Sequence, residues 1–260
     1  MKQPRTWVPR FNTPGGDMER LPGAPLLSRL GHELRSPLTG ILGLSRIMLV
    51  KLAAGAAEPG QQINQLELLR ASAEQMLRTI DRVVEVARLD LPAGPAPEPS
   101  DCRARIAEVV AQARPGAEAR GRQLLLDLPD EPVLIADRHD ALRRILAELV
   151  DNAVKYADHP DIRVSARPQT ENPAAIEVSD DGPGLTEEEQ ARLGNPFERG
   201  AAAERDEIPG SGLGLYLARQ LVGAAGLRMV LRSGPPAGTT VTVLAAAGQH
   251  RSEGSAWPQS

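Results

Sequence analysis

His32 lies in the string Leu30-Gly31-His32-Glu33-Leu34-Arg35-Ser36-Pro37-Leu38. An exposed imidazole beside a carboxylate suits nucleophilic attack, because Glu33 can hold the ring in one tautomer and accept its proton. Pro37 removes a backbone donor and should bend or loosen a helix just beyond the histidine. By composition alone, His32 reads as an ordinary surface histidine; its neighbours in this string change that reading.

Three further groups could carry chemistry. Glu148, Asn152 and Lys155, in the string Glu148-Leu149-Val150-Asp151-Asn152-Ala153-Val154-Lys155-Tyr156, share one helical face at i, i+4 and i+7. That face is either a solvated stripe or a holder for Mg²⁺ and phosphates, since Mg²⁺ takes oxygen ligands and few of them from protein. Asp180-Asp181-Gly182-Pro183-Gly184 follows an apolar strand, and its glycines let the backbone approach a planar ligand. The same segment also reads as a plain turn. Gly210-Ser211-Gly212-Leu213-Gly214-Leu215 opens a helix, where glycines free amides to bind phosphate. It lacks the preceding strand and the later acidic residue of a dinucleotide-binding fingerprint.

The elements that must position these groups fall into two blocks. Leu27, Leu30, Leu34, Pro37, Ile41, Leu44 and Met48 alternate in steps of three and four, which is a heptad series. It places His32 at a water-facing position. A second series runs through Ile63, Leu66, Arg70, Ala73, Leu77, Ile80, Val84, Ala87 and Leu91. Arg70 is its polar member, either a specificity device or a frayed register. Residues 53–60 supply a turn, so the two helices form an antiparallel hairpin. Two hairpins complete a four-helix bundle in a homodimer; the alternative is packing on the other domain of the same chain.

Residues 92–100 hold four prolines and read as a linker. Beyond them a helix is expected over 101–120, then strands at 124–126 and 133–135. A helix capped by Asp137 should run through Tyr156, burying Leu142, Ile145, Leu146, Leu149 and Ala153. Strands follow at 162–166 and 176–178, helices at 187–193 and 213–224, and strands at 229–231 and 239–244. This mixture is an α+β, two-layer sandwich. The expected organisation is a flexible tail over 1–22, the hairpin over 23–91, the linker over 92–100, the sandwich over 101–248 and a loose tail over 249–260.

Composition excludes several classes. With 30 basic and 34 acidic residues the net charge is -4, without the basic signature of a nucleic-acid binder. One cysteine excludes an internal disulfide framework, and four scattered histidines argue against a histidine-rich metal site. The longest apolar run, residues 41–52, is interrupted by Ser45, Arg46 and Lys51, so no membrane span, and a soluble cytoplasmic protein, is expected. The proline-bearing N-terminus does not read as a signal peptide.

Taken in order, the four groups resemble the transmitter core of a bacterial sensor histidine kinase, from about residue 22 to about 248. Residues 30–38 resemble the phosphoacceptor box, 148–156 the asparagine box, 180–184 the first glycine box and 210–215 the second. Asn195-Pro196-Phe197-Glu198-Arg199 is similar to the phenylalanine box, and Gly238-Thr239-Thr240 to the segment before the last strand. The resemblance implies a dimeric helical hairpin joined to an ATP-binding sandwich of the gyrase, chaperone and mismatch-repair type. By position it implies His32 as phosphoacceptor, Glu33 as its acidic helper, and Asn152 as a Mg²⁺ ligand. Lys155 and Tyr156 match positions near the nucleotide, and Asp180 the carboxylate that accepts from the adenine amino group, flanked by Gly182 and Gly184. Gly210, Gly212, Leu213 and Gly214 match the hinge and phosphate cradle of a lid over about 194–211.

Two departures bear on chemistry. Glu148 stands where asparagine is common, and can serve Mg²⁺ or act as a base. Ser36 stands where threonine or asparagine is common, and implies weak phosphatase activity. A third, residues 223–227 in place of the usual histidine and paired glycines, touches packing. The implied partners are a second copy, a response regulator receiver domain and a separate sensory or regulatory protein; the implied ligands are ATP and Mg²⁺.

Overall fold

The structure is a computed structural model that describes residues 24–56, 58–89, 97–138, 140–169, 173–201, 208, 210–234 and 237–245. Of residues 24–29, 32, 88 and 89 only the helical backbone is described. The expected tails, residues 92–96 of the expected linker and the middle of the expected lid lie outside the described residues.

Two long helices come first, α1 (Ala24–Ala53) and α2 (Pro59–Leu89). α1 runs through Pro37 without a break. It ends at Gly55, whose φ of 65° is readily adopted by glycine. There Gly55 N–H donates to the Leu52 carbonyl and Ala56 N–H to that of Lys51, which satisfies the last carbonyls in a Schellman motif. Lys51 Nζ then donates to Gln61 Oε1 at 2.9 Å across the turn.

The α1 side of the hairpin follows the heptad reading: Leu30, Leu34, Pro37, Ile41, Leu44 and Met48 are half-buried. α2 does not. Its covered stripe is Gln62, Gln65, Leu69, Ser72, Met76, Thr79, Val83 and Val86, half-buried except for the buried Thr79, and one residue earlier than the apolar series. Ile63, Leu66, Leu77, Ile80 and Val84 therefore point outward, as do Leu38, Leu42, Leu49 and Leu52 of α1. Arg70 is also outward, in a loose pair with Glu74. A one-residue shift on a helix is a turn of about 100°, enough to exchange one stripe for its neighbour.

The expectation of no membrane-length apolar run needs correction. Among the described residues, Glu33–Ala53 is long and apolar enough, by length and composition, to cross a membrane, and its apolar window is not buried. Arg46 and Lys51 interrupt the apolar run without offsetting the leucines around them.

The second domain opens with β1 (Ser100–Asp101), α3 (Arg103–Glu118), β2 (Gln123–Asp127), β3 (Leu134–Ile135) and α4 (Ala141–Tyr156). It continues through β4 (Asp161–Arg167), β5 (Ala175–Asp180), α5 (Glu187–Arg192), α6 (Gly214–Ala224), β6 (Arg228–Ser233) and β7 (Thr239–Leu244). The five-stranded sheet has the order β2-β4-β5-β7-β6. β2 and β4 are parallel, and the other neighbours are antiparallel. The parallel pair needs a crossover, which contains α4.

Ser100 belongs to this domain rather than to a linker, because β1 pairs with β3. The helix expected from 101 starts at Arg103 for the same reason. Asp101 accepts from the Val133 amide and from Arg103, whose guanidinium helps hold the carboxyl near a pKa of about 2. Asp137 caps α4 at a distance: the helix starts at Ala141, and Asp137 Oδ1 accepts from Leu142 N–H at 2.9 Å. The expected stripe of Leu142, Ile145, Leu146, Leu149 and Ala153 is buried, at 3% exposure or less. It packs with Ile106, Ile162, Ile176, Leu217 and Leu221 into one core.

Candidate functional site

The site forms where β5 ends, α4 passes and α6 begins. Asp180, the last residue of β5, is half-buried, and its Oδ1 accepts from Gly182 N–H at 3.0 Å. Burial raises its pKa to about 6, against the opposing pull of the Gly182 and Thr239 amides. The turn after it fits because residue 182 has no side chain: a β-carbon there would stand 2.3 Å from the Tyr156 carbonyl oxygen. Gly238 backs the same strand end, with φ 74° and no room for a β-carbon beside the Asp180 carbonyl.

α4 presents Asn152, Lys155 and Tyr156 to the cleft. Among the described residues the Asn152 amide has no hydrogen-bond partner, whereas Lys155 pairs with Asp151. Burial raises the pKa of the Tyr156 phenol.

The third wall is the loop into α6. Gly210, Ser211, Gly212 and Gly214 all line the cleft. Gly212 has φ 68°, and a β-carbon there would collide with the backbone of Phe197 and Glu198. Phe197 itself sits at φ 64°, donating its N–H to the Gly212 carbonyl at 3.1 Å. Leu213 precedes α6 without a side-chain cap. The first amides of the helix therefore have no side-chain cap, the condition under which a helix start can bind an anion.

Apolar side chains, including Leu149, Val178, Leu185 and Leu231, complete a cleft of about 1060 Å³ with its open mouth included. α5 supports its rim through a capping box between Thr186 and Glu189. Glu189 also accepts from the Ala201 amide at 2.8 Å.

The structure thus gathers Asn152, Lys155, Tyr156, Asp180, Gly184, Gly210, Gly212 and Gly214 around one cleft. Gly182 and Leu213 are buried beside it and shape it without lining it. Glu148 does not line it either. Its carboxylate faces α2, accepting from Arg82 Nε at 2.9 Å and from Nη2 at 2.7 Å. His32 is on α1, its side chain outside the described residues; Glu33 and Ser36 are exposed on the same helix, away from the cleft. Arg82 does line the cleft, and the sequence gives no sign of it. Nothing around residue 82 is distinctive, and only the docking of α2 on the second domain brings it there.

Two segments of the chain match two known families. Residues 26–92 match the His Kinase A (phospho-acceptor) domain. Residues 137–248 match the histidine kinase-, DNA gyrase B- and HSP90-like ATPase. The chain belongs to the histidine kinases. As a histidine kinase transmitter core it carries an ATP-binding domain, and the cleft lies within it.

The virulence sensor protein BvgS of Bordetella bronchiseptica is 33% identical over 229 residues, covering 84% of this chain and 18% of that protein. The histidine protein kinase DivJ of Caulobacter vibrioides is 31% identical, covering 85% of this chain and 36% of that protein. The sensor histidine kinase AruS of Pseudomonas aeruginosa is 32% identical, covering 82% and 22%. The chain therefore spans between 18% and 36% of the length of these three relatives. In fold it is similar to the Acinetobacter baumannii histidine kinase AdeS, with a TM-score of 0.64, 20% identity, and coverage of 84% of this chain and 98% of that one.

Proposed function

We propose that this histidine kinase core transfers the γ-phosphoryl group of ATP to His32 and then to an aspartate of a separate receiver domain. The reading is carried by the cleft itself, which is lined by Asp180 at the end of β5 and by the glycine loop and the uncapped start of α6. It stands on the same chain as the hairpin that bears the histidine.

In this reading a His32 ring nitrogen attacks the γ-phosphorus, the bond from that phosphorus to the bridging oxygen breaks, and ADP leaves. Glu33, the next residue along α1, takes up the proton from the other ring nitrogen. An aspartate oxygen of the receiver domain later attacks the same phosphorus, and the phosphorus–nitrogen bond breaks. Little covalent work falls to the protein, so positioning and charge neutralisation dominate. Asp180 accepts from the adenine amino group, and the amides at residues 212–215 face the phosphates. Mg²⁺ fits the donor set, because the Asn152 amide oxygen faces the cleft without a partner; the ion would neutralise phosphate charge there.

The outward apolar stripes support a homodimer. They recur at heptad spacing on both helices, which is the pattern of a four-helix bundle seam, whereas a spanning helix is apolar all round. Cytoplasmic placement goes with this reading, since both ATP and a receiver domain are found there.

The test is incubation with γ-labelled ATP. Label that is acid-labile and base-stable is expected, lost in His32→Gln while that variant still binds ATP. Stable labelling that persists in His32→Gln, or maps to His139, His159 or His250, overturns the assignment.

A further inference from the structure

A second cavity opens beside the nucleotide cleft, between α2 and the ATP-binding domain, enclosing about 760 Å³ with its mouth included. Its charged walls are Arg78 and Arg82 from α2, and Arg120, Asp151 and Lys155 from the other domain. Arg82, Lys155, Gly210 and Ser211 line both cavities, so the two communicate at the glycine loop. Glu74 lies 3.8 Å from Arg78, and Asp151 pairs with Lys155, which leaves the walls cationic on balance.

Arg82 is held in a particular way. Glu148 takes its Nε and Nη2, with both side chains mostly buried at 17% and 14% exposure, and Asp151 Oδ2 stands 3.9 Å from the same Nη2. Nη1 has only a long contact, 3.4 Å, to Ser211 Oγ on the glycine loop. A guanidinium carries five donors in a fixed fork, so the Glu148 side orients it while the opposite edge remains available. That edge stands where the phosphate-facing loop meets the basic cavity.

We propose that Arg82 is a phosphate-contacting residue that the hairpin lends to the nucleotide site, oriented by Glu148, with Arg78 and Arg120 adding charge around the outer phosphates. The inference rests on the cleft being an ATP site. Its consequence is linkage: a ligand contact that exists only when α2 is docked makes a polyphosphate favour the docked arrangement. A nucleoside monophosphate, too short to reach Arg82, does not.

The experiment compares binding of ATP, ADP and AMP to the full chain, unmutated and as Arg82→Ala and Arg82→Lys, by calorimetry. Arg82→Ala is expected to weaken ATP about tenfold, the scale of one charge-assisted contact, to weaken ADP less and to leave AMP unchanged. Arg82→Lys should recover part of the ATP loss. Unchanged AMP affinity also reports that the variant is folded. Equal weakening of all three nucleotides, no change, or a gain in ATP affinity would each overturn the proposal and leave Arg82 as a structural tie to Glu148 and Asp151. Failure of the unmutated chain to bind any of the three would instead overturn the ATP reading.

Discussion

Gly182 packs on the carbonyl of Tyr156, so that the turn after β5 and the end of α4 meet with no space for a side chain: a β-carbon at residue 182 would lie 2.3 Å from that oxygen. The obstacle is backbone, which yields only if the turn or the helix end moves. Gly182→Ala should therefore destabilise the domain by about 1–3 kcal/mol, the usual cost of overpacking, and weaken ATP binding by displacing Asp180. Gly214 is the informative contrast. There a β-carbon meets the Glu148 Oε2 at 2.5 Å, the tip of a side chain that can swing at the expense of its Arg82 pair. Gly214→Ala should lower the melting temperature less than Gly182→Ala in the same assay.

Asp180 gives a pH prediction with a definite sign. Burial raises its pKa from 3.8 to about 6. In the proposed role this carboxylate accepts from the adenine amino group, and it is lost as pH falls through that value, so ATP affinity should drop from pH 7 to pH 5. The folded state also holds this proton more tightly than the unfolded chain does. Its contribution to stability is thus fully present below pH 3.8 and lost as pH rises through about 6. Asp180→Asn should raise the melting temperature at pH 8, by roughly a few degrees, while it weakens ATP binding. Titrating affinity in both proteins separates this group from the phosphates of ATP: the difference between the two curves should vanish below pH 5.

The two stripes of α2 predict different failures. Leu66 and Leu77 are 54% and 60% exposed, whereas Leu69 and Met76 are half-buried against α1. Leu66→Glu with Leu77→Glu should convert a dimer to a monomer in sedimentation while helicity and ATP binding persist. Leu69→Glu with Met76→Glu should cost helicity as well. A dimer that survives the first pair of changes would show that the seam lies elsewhere.

Ser36 is exposed on α1, one helical turn from His32, where the resemblance implies a residue that orients water to dephosphorylate the receiver domain. Serine keeps the hydroxyl but lacks the methyl that restrains threonine's χ1. Phosphatase activity should be weak: Ser36→Thr should raise it and Ser36→Ala remove it, with autophosphorylation unchanged in both. Phosphate release from a phosphorylated receiver domain is the measurement, and equal rates for Ser36→Ala and the unmutated protein would leave the side chain without this role.

Much was legible in the sequence because it is local. The buried face of α4 follows from residues three and four apart. The turn at 180–184 and the loop at 210–215 follow from glycines that a crowded or positive-φ backbone demands, as at Gly212. The α1 seam follows from the apolar series through Leu30, Leu34, Ile41, Leu44 and Met48, beside which Leu38, Leu42, Leu49 and Leu52 form a second, outward stripe.

What tertiary structure alone decided is which of two surfaces a helix presents, and to what. α2 carries an apolar series and, one residue earlier, a mixed one of Gln62, Gln65, Leu69, Ser72, Met76, Thr79, Val83 and Val86. Apolar periodicity selects the first, yet α1 and the second domain cover the other, because that side of α2 also meets the ATP-binding domain, through Val86 of the stripe and Arg82 beside it. The same docking turns Glu148 from the cleft toward α2 and brings Arg82 into it. Residues 82 and 148 are 66 apart in sequence, and a charge pair across that distance leaves no trace in spacing or composition; it exists only where two separately folded surfaces meet.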